Sequence, residues 1–171
     1  FELLMGELMP RTGRAPKRKI TQDPIYNSIL VAKLINNIMT DGKKALAQKI
    51  VYGAFEKIRE VSHKDPAIVF EEAVKAISPK AEVRPRRVGG ATYMVPMEVK
   101  GERKQLLAIK WIVAAAQARP SKDYLTGKIV MAEKLAVEIL DAIAGLGGAA
   151  GKKVQVEKQA EANRAFAHFR W

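Results

Sequence analysis

The chain has 171 residues, with 30 lysines and arginines against 18 acids, a formal charge of +12 and no cysteine. The lack of cysteine excludes disulfides, thiol nucleophiles and cysteine-based zinc sites, and fits a reducing cytosol. The charge favours a polyanionic partner, nucleic acid ahead of an anionic membrane, and no long uncharged apolar run supports the membrane reading.

Residues 1–8 (FELLMGEL) are apolar and acidic, and that character stops at Met9-Pro10-Arg11. They lack the basic flank and length of a secretory signal and are read as an upstream or non-native extension. Residues 9–20 carry Arg11, Arg14, Lys17, Arg18 and Lys19 and no acid, while Gly13 and Pro16 discourage helix. This basic arm is expected to stay disordered until it meets its partner. Residues 21–171 read as a single helical domain with a β-hairpin arm at about 81–99.

The first predicted helix runs from Tyr26 to Thr40, with Leu30, Leu34, Ile35 and Ile38 on one stripe, and Asp41-Gly42 ends it. The second runs from Lys43 to Val61, with Leu46, Ile50, Ala54, Ile58 and Val61 near helical spacing. The third opens with Asp65 as N-cap and Pro66 in the first turn, carries Phe70, Ala73 and Ile77, and stops at Pro79. The fourth runs from Glu102 to Ala118, before Pro120. The fifth runs from Tyr124 to Leu146, with Leu125, Ile129, Ala132, Ala136, Ile139 and Ile143 three and four apart. Gly145, Gly147, Gly148 and Gly151 are expected to form a loose joint, followed by a last helix from Val154 to Phe169 whose apolar face is Ala162, Phe166 and Phe169. The predicted architecture is mainly α, a six-helix bundle-like domain with one protruding β-hairpin between the third and fourth helices.

The hairpin is the most informative stretch. Gly89-Gly90 suits the two positive-φ positions of a tight turn. One limb carries Arg84, Arg86 and Arg87; the other has Tyr93, Val95, Met97 and Val99 at period two. Pro85 and Pro96 cannot donate to a ladder, so the pair is a ribbon and not part of a larger sheet. An isolated ribbon is marginal in water, so a cationic one is expected to be held by what it grips. Lys43 and Lys44 follow the Asp41-Gly42 turn, Lys100, Arg103 and Lys104 sit at the base of the arm, and Lys110 comes about two turns later. If these ends share a side, they form a surface that contacts many phosphates, fixing register more than reading sequence. Lone lysines such as Lys57 and Lys75 read as solvated. Tyr93, Trp111 and Trp171 are the candidates to stack on unpaired bases; Trp111 sits in an apolar stretch that favours core packing, whereas Tyr93 is expected to have few protein neighbours.

Enzyme motifs are poor. His63 and His168 lack partners at ligand or triad spacing, and Glu71-Glu72 are adjacent on a helix and do not face each other. The Gly145-to-Lys153 run is not a phosphate loop, because Lys153 stands where Ser or Thr is needed and a helix precedes it. No catalytic residue, metal or cofactor is expected.

Four stretches together resemble bacterial small-subunit ribosomal protein seven: Asp23-Pro24 to Ser28, Asn37 to Lys44, Arg86-Arg87-Val88-Gly89-Gly90-Ala91-Thr92-Tyr93, and Ala160 to Trp171. The match runs in order from Met9 to Trp171. The resemblance implies a helical domain with a protruding hairpin, and a primary binder of 16S ribosomal RNA at the 3′ major domain. It implies nucleation of the small-subunit head and a place near the decoding centre. It implies a hairpin and C-terminal helix near exit-site tRNA and the mRNA path, with small-subunit proteins nine and eleven as neighbours. In some members it also implies repression of the operon's own mRNA. Carried over as RNA-binding are the basic arm, the Gly42-Lys43-Lys44 turn and Arg86 to Tyr93, including Gly89, Gly90 and Thr92. The extension before Met9 departs from the pattern, and Lys100-Gly101-Glu102 is less cationic than members often are there. The expected location is cytoplasmic, in the small subunit of a bacterial ribosome.

The expected mechanism is recognition by shape and charge, with Glu56, Glu60, Glu71, Glu72 and Asp141 lying away from the contacts. The alternative is an architectural DNA-bending protein that inserts Met94, Val95 or Pro96 as a wedge.

Overall fold

The computed structural model describes residues 19–120 and 131–169. Within them six α-helices and one antiparallel hairpin follow in the order α1 (Ile29–Ile38), α2 (Lys44–Ser62), α3 (Pro66–Ile77), β1 (Ala81–Val88), β2 (Ala91–Glu98), α4 (Gly101–Ala118), α5 (Met131–Ile143) and α6 (Gly147–Ala162). A 3-10 helix, Arg164–Phe169, closes the chain. The mainly helical domain with its hairpin between α3 and α4 is the predicted architecture.

The first helix starts later than its apolar pattern suggests. Buried Asp23 accepts from the backbone N–H of Ile25 (3.2 Å) and Tyr26 (3.1 Å), and Asn27 takes a left-handed φ of 48°. This Asx turn competes with helix, so α1 begins at Ile29. At its other end Asp41 and Gly42 have φ of 53° and 72°, the expected stop.

Tyr52 Oη donates to the other oxygen of Asp23 at 2.8 Å. Burial first, and then this bond, push the Tyr52 phenol up to about 12. The bond needs the protonated phenol, whose ordinary value is about 10. Its contribution is therefore complete below about pH 10 and is lost as pH rises through about 12. Urea melts of wild type and Tyr52→Phe should differ most near neutrality and converge in that alkaline window. A gap that stays constant with pH would contradict this assignment.

In α2 the buried residues are Ala47, Val51, Ala54, Phe55 and Ile58. Of the predicted stripe, Leu46 (55%) and Val61 (68%) are exposed. The true stripe is turned toward Phe55, whose ring meets Tyr26 at 5.0 Å and Phe70 at 5.9 Å. Filling that aromatic layer outweighs burial of the two aliphatics at the ends. The α3 N-terminus is as predicted: Asp65 Oδ1 accepts from the Ala67 N–H at 3.0 Å and Pro66 sits in the first turn. Helix α5 is the central element, packing on α2, α3, α4 and α6. It buries Leu135 and Ile139, while Ile143, placed by its spacing on the apolar face, is exposed at the helix end. The predicted start of this helix, Tyr124 to Val130 with Leu125 and Ile129, lies outside the described residues.

The largest correction is at the C-terminal end. The glycine run is not a loose joint; it opens α6. Gly147 has a φ of 87°, and a β-carbon there would lie 2.9 Å from Glu138 Oε1. A β-carbon at Gly148 would lie 3.0 Å from Ala115 Cβ, so glycine lets α6 start hard against α4. Glu138, 1% exposed, accepts from the Ala149 N–H at 3.0 Å and thereby satisfies an amide of the first turn of α6. Its second oxygen accepts from Arg119 Nε at 2.6 Å, and Arg119 also pairs with Asp141. Lys134 Nζ donates to the Arg119 carbonyl at 2.6 Å. Burial works against the Arg119 charge, but its bonds to Asp141 and Glu138 prevail and raise its pKa. One cluster thus ties the end of α4, the face of α5 and the start of α6. The predicted single helix from Val154 to Phe169 is instead α6 plus the 3-10 helix, divided at Asn163. Its buried residues are the small Ala149, Ala150 and Ala160, whereas Ala162 is exposed.

Candidate nucleic-acid interface

The arm closes as its sequence requires, with φ of 58° at Gly89 and 87° at Gly90. The register pairs Arg84 with Val95, Arg86 with Tyr93 and Arg87 with Thr92. Directly opposed residues share a face, so Arg84 and Arg86 lie on the face of Val95 and Tyr93, and Arg87 lies with Thr92 on the other. The three arginines are therefore split between two faces. Val95 is fully buried and Tyr93 and Met97 are half-buried, because β1 packs on α6 and β2 on the 3-10 helix. This backing supplies the third layer that a bare ribbon lacks.

Tyr93 corrects an expectation. It is not poor in neighbours: its ring lies 5.3 Å from Phe166 and 5.1 Å from Phe169. Only the distant sequence position of those phenylalanines hid the cluster. Trp111 packs against the core, as its surroundings predicted, and Trp171 lies outside the described residues. Of the imagined DNA wedge, Met94 is exposed but Val95 is buried, so it cannot enter a base step without unpacking the arm.

At the arm's base, buried Glu82 sits between two cations. Its Oε1 accepts from Arg84 Nε at 2.8 Å, and its Oε2 accepts from Arg103 Nη2 at 3.2 Å. Sequence reasoning missed this acid, although the period of two places Glu82, Arg84 and Arg86 on one face. The hand-off to Arg103 was not readable, because it depends on α4 meeting β1. On α4, Arg103 and Lys110 are seven residues apart and exposed, so they share one stripe with Ala114 and Gln117. Lys100 is exposed at the N-cap, and half-buried Lys104 lines a cavity of about 290 Å³ with Leu30, Lys75 and Gln105. Lys33 Nζ donates to Gln105 Oε1 at 2.9 Å, so the starts of α1 and α4 lie together.

The other cations gather elsewhere. Lys19 and Lys44 line one cavity of about 520 Å³ with Asn36 and Gln48. Exposed Lys43 caps α2 without a side-chain bond and lies 3.8 Å from Asp41, an exposed contact of little strength. The open amides of that helix start add to the positive potential. The cavity of Lys19 and Lys44 is also lined by Ala32 and Ile35 of α1 and shares no residue with the one that Lys104 lines. Arg11, Arg14, Lys17 and Arg18 lie outside the described residues.

Acids elsewhere are spent on the body. Glu133 takes Lys57 at 2.7 Å and Glu71 takes Lys75 at 3.0 Å. Asp141, predicted to lie away from the cationic surface, is held by Arg119. Among the described residues no group of three His, Asp or Glu side chains is placed to hold a metal ion, and no helix is long and apolar enough to cross a membrane. His63 is an exposed left-handed C-cap, and His168 Nδ1 lies 2.9 Å from the Ala165 carbonyl.

A family model described as ribosomal protein S7p/S5e matches residues 10–164. The small ribosomal subunit protein uS7 of Acetivibrio thermocellus is 56% identical over 163 residues, 95% of this chain and all of that protein. Those of Caldanaerobacter subterraneus and Carboxydothermus hydrogenoformans are 57% and 58% identical, with the same coverage. The chain belongs to the ribosomal protein S7p/S5e family.

Proposed function

We propose that this chain is a structural protein of the small ribosomal subunit that binds 16S rRNA directly, at the 3′ major domain, and nucleates assembly of the subunit head. It works by positioning and charge, without chemistry. The observation that carries the reading is the set of cations along the arm and α4. Arg86, Arg87, Lys100, Lys104 and Lys110 face no carboxylate within 4 Å among the described residues. Unpaired charge on a rigid frame is what phosphate contacts need. The Lys19–Lys43–Lys44 cluster is the second anchor, and the basic arm before it orders along the backbone on binding.

The hairpin and C-terminal turn lie beside exit-site tRNA and the mRNA path, with small-subunit proteins nine and eleven as neighbours. The same surface represses translation by binding the operon's mRNA. Family membership and the arm's geometry support these roles. The test is binding to a head-domain fragment of 16S rRNA under competition by duplex DNA. Retained binding at excess DNA is expected; equal displacement would contradict RNA recognition.

A further inference from the structure

We propose that Glu82 is a specificity-determining residue, an internal stand-in for phosphate that presets Arg84 and Arg103. The inference rests on the RNA-binding reading above. Glu82 is the carboxylate that bridges Arg84 and Arg103, and its side chain is only 12% exposed. The two arginines it holds are 54% and 46% exposed, so both side chains remain accessible to a ligand. Oε1 engages Arg84 through Nε at 2.8 Å and Nη2 at 2.7 Å. Oε2 engages Arg103 through Nε at 3.4 Å and Nη2 at 3.2 Å. A guanidinium carries five N–H donors, so each fork keeps free donors for a phosphate.

Two consequences follow from this bridge. It fixes two flexible side chains, one from β1 and one from α4, in a single relative geometry before RNA arrives. That removes part of the ordering cost for a backbone that fits both forks, and none for one that does not. It also lowers the local charge, two cations and one anion leaving +1, which weakens attraction to any polyanion at random. Specificity is a difference of affinities, and an acid placed among arginines acts against the wrong partner more than against the right one.

The experiment measures affinity of the full chain for the head-domain RNA fragment and for duplex DNA, across a salt series, in wild type, Glu82→Gln and Glu82→Asp. In Glu82→Gln the DNA salt slope should steepen by about one and the RNA-to-DNA affinity ratio should fall about tenfold. In Glu82→Asp, which keeps the charge but is too short to span both arginines, the slope should hold while the ratio falls. A Glu82→Gln protein with the wild-type slope and ratio would overturn the proposal. A wild type that does not favour the RNA would fail the parent reading, a separate outcome. A measurement free of folding risk uses wild type alone: hydrogen exchange at Nε should be slower for Arg84 and Arg103 than for Arg87. Equal rates would also overturn the proposal.

Discussion

Arg119→Ala should destabilise the protein by about 3 kcal/mol, the size expected when one partner of a buried ion pair is removed. For a chain of this length that lowers the melting temperature by roughly 10 °C. The cause is Glu138, which is 1% exposed and depends on Arg119 Nε at 2.6 Å. Without Arg119 the buried carboxylate keeps only the Ala149 N–H among its described partners and loses its cation. The matched control is Lys57→Ala. Its pair with Glu133 has the similar length of 2.7 Å, but both side chains are more than 40% exposed, so its loss should cost far less than that of Arg119. Thermal or urea melts of the two variants decide the matter. Equal losses would contradict a buried clamp at this corner. Because α6 starts from the clamp and β1 packs on α6, Arg119→Ala should also loosen the arm and speed its backbone hydrogen exchange.

The second large effect is on binding. Replacing Arg86 and Arg87 together by glutamine should lower the salt slope of RNA binding by about two and weaken affinity roughly 30-fold at moderate salt. Neither side chain has a carboxylate partner among the described residues, so folding should be little changed. The residues point to opposite faces of the ribbon. Each single variant should therefore reduce the slope by about one, as two separate phosphate contacts would. Lys57→Gln removes a charge that Glu133 holds on the body and should leave the slope near the wild-type value. An arm variant that matched that control would remove the arm from the interface.

Local signals made much of this fold legible. Asp65-Pro66, Asp41-Gly42, Pro79 and Gly89-Gly90 act through backbone geometry within a few residues, and each does in the structure what its chemistry predicts. The errors arose where distant contacts decide. Glycine's low helix propensity argued against helix at Gly147 and Gly148, yet close approach to Ala115 and the amide acceptor Glu138 outweigh it. A signal was present: Glu138 falls one residue before Ile139 and three after Leu135, inside the apolar period of α5, where an acid is expected to be buried and partnered. For the site, arginine content and turn chemistry located the arm. Its backing by Phe166 and Phe169, and the grip of Glu82 on Arg103, join residues far apart in the chain and carry no local pattern.

In the proposed complex the cations of the arm base, α4 and the α2 turn face RNA. Lysine acetylation of the full chain, free and bound to the head-domain RNA, reads this directly by mass spectrometry. Lys43, Lys44, Lys100, Lys104 and Lys110 should become protected on binding, while Lys57, held by Glu133, keeps its free-state reactivity. Protection of Lys57 with continued labelling of Lys100 and Lys110 would place the RNA elsewhere on the body and contradict this assignment.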